Sequence, residues 1–90
     1  MLFMIVERFK NGDAVPVYRR FRDQGRQITD GVSYVGSWVT ADLTCCFQVM
    51  EAADRSALNE WMARWADLVD FEVVPVITSA EAQALVAPRL

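Results

Sequence analysis

The order of apolar patterns along the chain predicts an α+β domain, β-α-β-β-α-β, finished by a short extra helix. Three observations carry that expectation. Four segments rich in strand formers are apolar throughout or alternate with period two. Two segments between them repeat apolar residues at helical spacing. The length, 90 residues with 53% in the hydrophobic set, is that of one domain spanning 1–90, unusually apolar for its size.

Each element has its own signal. Residues 2–9, LFMIVERF, are apolar on both alternating faces, as a central strand covered on both sides requires. The run NGD breaks it, Asp13 is an N-cap, and Pro16 is tolerated in a first turn. A first helix over about 14–26 follows from Tyr18, Phe21, Gly25 and Ile28 at helical spacing. Residues 32–40 and 43–50 form a hairpin turning at Ala41-Asp42; Val35, Val39 and Met50 fall on one face, and Trp38, Phe47 and Val49 on the other. Asp54 caps a second helix whose stripe is Leu58, Trp61, Met62, Trp65, Leu68 and Val69. Residues 71–77, FEVVPVI, make the last strand, and Pro75 assigns it to an edge or a bulge because proline donates nothing to a ladder. Thr78 and Glu81 form a capping box that opens a short helix over Ala82, Leu85 and Val86, ended by Pro88.

This is the ferredoxin-like split β-α-β order. Right-handed crossovers put both helices on one face of a four-stranded antiparallel sheet. Nothing in 90 residues is left to cover the other face, yet the strands are apolar on both. The expected solution is a second copy, packed sheet to sheet in a two-fold homodimer, a dimeric α+β barrel.

Charge and composition exclude several partners. The net charge is −3, so a nucleic-acid partner is not expected, since phosphate neutralisation needs a basic field. The apolar N-terminal run of six residues is too short for a signal peptide core or a membrane span; the expected setting is cytoplasmic, with Cys45 and Cys46 as thiols.

The stretches MLFMIVERFKNGD…PVYRRFR, GSWV…ADLT…CFQVME and WMARWADLVDFEVVPVITSAEA together resemble a family of short, mostly bacterial proteins of unknown function. The resemblance covers nearly the whole chain, and Cys45 stands where it leads one to expect a polar or charged residue. The family is similar to the dimeric α+β barrel superfamily, which implies the sheet-on-sheet dimer. It carries over no activity. The wider superfamily holds cofactor-independent monooxygenases, haem-degrading enzymes, lactone isomerases and small-ligand sensors, a likeness of fold that does not fix function.

The chain has no histidine, which removes the commonest base near neutral pH and the usual haem and metal ligand. No glycine-rich phosphate loop and no nucleophile elbow is present. No cofactor and no metal is therefore expected. Adjacent Cys45 and Cys46 point to opposite faces of a strand and read first as small buried hydrophobes; Cys46, beside Gln48 and Ser37, is the better candidate for a reactive thiol. Glu7, between Val6 and Arg8 late in a strand, either reaches water or an arginine, or is desolvated into a useful acid or base. Trp38 and Trp61, with Tyr34, Phe47 and Trp65, either fill a core or line a pocket for a flat molecule. Arg19, Arg22 and Arg26 share a helix face that is solvated or binds an anion, and Asp67, Asp70 and Glu72 lack a calcium-loop spacing.

Three functions fit these residues. The first is a homodimer that binds a small apolar or aromatic ligand between sheet and helices through Tyr34, Trp38, Cys46, Gln48 and Trp61. The second is a cofactor-independent monooxygenase- or isomerase-like enzyme in which Glu7 or Tyr34 steers protons. The third is an assembly module with no ligand.

Overall fold

A computed structural model describes all 90 residues. Strands β1 (Leu2–Phe9), β2 (Val32–Val39), β3 (Cys45–Ala52) and β4 (Val69–Val76) form one antiparallel sheet in the order β2-β3-β1-β4. β1, apolar on both faces, is central. Pro75 lies on the edge strand β4, opposite Phe3, where its missing N–H has a place. The order and antiparallel pairing are those of a ferredoxin-like fold.

Helix α1 covers Val15–Gln24. The Asp13 carboxylate accepts the Val15 N–H at 3.0 Å, and Pro16 sits in the first turn. The helix stops two residues before the expected end, because Gly25 turns to φ 70. Arg26 is thereby carried off the helix and does not share a face with Arg19 and Arg22.

The second helical segment begins as predicted and then departs. The Asp54 side chain accepts the Ala57 N–H at 3.1 Å. The segment opens as a 3-10 turn over Arg55–Leu58 and becomes α2 (Asn59–Ala63). It closes on bonds three residues back, Trp65 N–H to the Met62 carbonyl and Leu68 N–H to that of Trp65. Val69 then leaves to pair with Phe9, so β4 starts two residues before position 71. Helix α3 (Ser79–Val86) carries the reciprocal Thr78–Glu81 capping box.

The core lies on one face of the sheet. Phe3, Ile5 and Phe9 from β1, Met50 and Ala52 from β3, and Val69 pack against Leu58, Trp61 and Trp65. Burial of side chains of this size contributes roughly 1.5–3 kcal/mol each before entropy is counted. Arg20 ties α1 to the end of the second helical segment, reaching the Asp67 carboxylate with two hydrogen bonds of 2.7 and 2.6 Å. Its guanidinium also lies 5.6 Å from the Trp65 ring.

The opposite face carries Leu2, Met4 and Val6 beside Val49, Phe47, Val74 and Val76. Trp38 stands across from Phe47 and is 64% exposed. α3 does not roof this face: it buries none of its residues, and Leu85 on it and Leu90 beyond it stand in solvent. The chain accordingly exposes 5854 Å², against roughly 5,300 Å² for a closed monomer of its mass. Its radius of gyration is 14.8 Å, against about 12 Å for a compact chain of this length.

Candidate functional site

β1 places Glu7 on the helix-covered face, opposite Cys46 on β3 and Phe71 on β4. There the sheet and α1 do not close on each other. α1 buries no residue, and beneath it lies a pocket of about 130 Å³. Val17, Tyr18 and Phe21 of α1 form its roof, Phe9, Val39, Trp61 and Trp65 its apolar walls, and Glu7, Ser37, Cys46, Gln48 and Arg26 its polar positions. The volume is close to that of an engineered cavity of ~150 Å³ that takes up benzene.

Glu7 is only 8% exposed. Burial pushes its carboxyl up from 4.5 to about 7, against the weaker opposing effects of a hydrogen bond with Cys46 and the charge of Arg26. It forms none of the molecule's ion pairs, which instead join Arg8 to Glu72, Lys10 to Asp70, Arg20 to Asp67, Arg22 to Asp23 and Arg64 to Glu60. Near neutral pH this carboxyl can both give and take a proton. The same surroundings act the other way on its neighbour: burial, then the Glu7 charge, push the Cys46 thiol up to about 12. A thiol so protonated is a poor nucleophile, and Cys46 contributes a soft wall and a weak donor. Gln48 is buried, with its amide N–H directed at the Met50 sulfur at 3.2 Å.

Arg26 is fixed at the rim by both its ends. The indole N–H groups of Trp61 and Trp65 donate to its main-chain carbonyl at 3.0 and 3.1 Å. Its guanidinium lies 3.8 Å from the centre of the Tyr34 ring and 5.1 Å from that of Phe21. One hydrogen bond, from Nε to Gln48 Oε1 at 3.3 Å, aims it across the mouth.

The structure thus gathers Glu7, Cys46, Gln48 and Trp61 around one cavity and corrects two other expectations. Trp38 is not between sheet and helices but on the uncovered face. Tyr34 lies on the helix side, opposite Met50, yet does not line the pocket; it supports Arg26 from outside, its hydroxyl 2.7 Å from Ser37 Oγ. Both follow from one bulge. Tyr34 pairs with Met50 and Gly36 with Val49, so Val35 is an extra residue that reverses the alternation. Arg26, Tyr18 and Phe21 were absent from the expected lining. Their signal was available in part: Gly25 is a natural helix terminator, and Tyr18 and Phe21 are three apart on a helix face.

No group of three or more acidic or thiol side chains is arranged to hold a metal ion, and no helix is long and apolar enough to cross a membrane. No curated protein and no solved structure matches the chain. A family does match, over residues 1–90, and the chain belongs to it: Domain of unknown function (DUF3303).

Proposed function

We propose that this is a homodimeric cytoplasmic protein that holds one small, largely apolar or aromatic molecule between sheet and α1. One observation carries the binding reading: a buried carboxyl, without an ion-pair partner, in the wall of an otherwise apolar cavity of benzene size. A site built only for packing gains nothing from a desolvated acid, which costs stability whenever it ionises. The homodimer is supported by the apolar face of Leu2, Met4, Val6, Phe47 and Val49, and by the projecting α3. A second copy is the occupant that matches a self-contained, nearly uncharged patch bordered by the internally paired Arg8–Glu72 and Lys10–Asp70.

A second reading is a cofactor-independent enzyme in which the substrate supplies the reactivity and Glu7 moves a proton. The specific support is the carboxyl's affinity for protons near pH 7. A thermal-shift screen with small aromatic and isoprenoid compounds tests the shared claim. Stabilisation that is lost in Phe21→Ala and kept in Trp38→Ala supports a ligand pocket. Turnover lost in Glu7→Gln with binding retained selects the enzyme. A broad library without a response contradicts both and leaves an assembly module.

A further inference from the structure

We propose that the ligand is a small monocarboxylate whose head is held by the terminal nitrogens of Arg26 and whose ring-sized body fills the apolar cavity under α1. The inference rests on the pocket holding a ligand at all, and it adds the chemistry of the head group.

Arg26 is the one cation that lines the cavity, and no carboxylate of the chain pairs with it. Its single hydrogen bond uses Nε, leaving both terminal nitrogens without a protein acceptor. Such a guanidinium is ordinarily free to swing into water. Here its carbonyl is pinned by two buried indoles and its plane is stacked on Tyr34, so most of the entropy of ordering it is already spent. Beside it Gln48, 4% exposed, accepts from Nε through its amide oxygen and turns its own N–H to the Met50 sulfur, so it anchors the guanidinium without competing for the two terminal nitrogens. Two free terminal nitrogens on a guanidinium already held at the rim describe a site for a planar anion.

The cavity decides which anion. A guanidinium fork fits a carboxylate's two oxygens. A phosphate dianion would bring two charges to a single cation with the Glu7 carboxyl in the same pocket. Glu7 in its protonated form can donate to a ligand carboxylate, but an ionised Glu7 beside a dianion only repels. Most of the remaining lining is apolar, Phe9, Val17, Phe21, Val39 and Trp61 among it, and about 130 Å³ limits the body to one ring or a short branched chain.

Calorimetric and tryptophan-fluorescence titrations with benzoate, benzamide and phenyl phosphate test this on the intact protein. Benzoate is expected to bind at least tenfold more tightly than either of the others. Arg26→Gln is expected to remove that preference while benzamide binding is retained, and Arg26→Lys to restore it only in part. Should Arg26→Gln fail to fold, Tyr34→Leu, which withdraws the guanidinium's support, is expected to reduce the preference by severalfold. Benzamide or phenyl phosphate binding as well as benzoate, or an undiminished preference in the Arg26 or Tyr34 variants, overturns the carboxylate assignment and leaves the pocket standing. If none of the three compounds binds, both the assignment and the ligand pocket fall.

Discussion

Tyr34 and Trp38, four residues apart on β2, point to opposite faces of the sheet. Val35 intervenes as an unpaired residue, so Tyr34 meets Met50 and supports Arg26 while Trp38 meets Phe47 on the uncovered face. The two aromatics therefore have separable tasks. Trp38→Ala is expected to weaken self-association at least tenfold, about 1.4 kcal/mol or more, since large aromatics dominate interfaces. It should leave ligand-induced stabilisation unchanged. Sedimentation at several concentrations and a thermal-shift titration on the same variant check the two halves.

The arm formed by α3 makes a second prediction about assembly. α3 buries none of its residues, and Leu90 is 96% exposed. Ending the chain after Ile77 should leave the unfolding midpoint of the monomer within a few degrees and loosen the dimer. A truncated chain that no longer folds would show that the arm belongs to the domain core.

The shared acceptor of Trp61 and Trp65 predicts a coupling. One carbonyl, that of Arg26, receives both indoles. Trp65→Phe alone leaves that carbonyl satisfied by the other indole. The double change with Trp61→Phe strands a part-buried carbonyl and should cost about 1 kcal/mol beyond the sum of the singles. Urea unfolding of the four members of the cycle measures the difference.

Glu7 makes stability depend on pH in the direction opposite to an ion-paired acid. Its folded affinity for the proton is raised, to about 7 from 4.5. Below about pH 4.5 the carboxyl is protonated folded or unfolded and imposes no penalty. Between about 4.5 and 7 the unfolded chain releases the proton while the folded one keeps it, so this contribution falls as pH rises. Above about 7 the loss levels off, on the order of 3 kcal/mol. Glu7→Gln should flatten this slope and unfold at higher denaturant than wild type at pH 8. Identical urea midpoints for both proteins across pH 5–8 would contradict it.

Much of the frame was legible in the residues because local chemistry decides it. The two-sided apolar run of β1, the Asp54 cap, the Thr78–Glu81 box and the edge position of Pro75 each state a backbone requirement within a few residues. Glu7, Cys46 and Gln48 share a face by parity alone once the register is known, and Trp61 meets that face from the apolar stripe of the second helix. The rest depends on events that parity hides. A one-residue bulge at Val35 put Tyr34 and Trp38 on opposite faces, and it is set by pairing with β3 rather than by composition. Gly25 read as one more position in a helical stripe, when its positive φ ends the helix and sends Arg26 to the pocket. The second helix kept its stripe but tightened into short turns, which apolar periodicity does not distinguish from a regular helix.

The central claim is that a carboxyl sits desolvated in a ligand cavity, and the charge state of that one group tests it most directly. Carbon-13 NMR of the side-chain carboxyl of Glu7, followed from pH 4 to 9, should give a midpoint near 7 that moves when benzoate is added. A midpoint near 4.5, unmoved by ligand, would show a solvated surface acid and contradict the account.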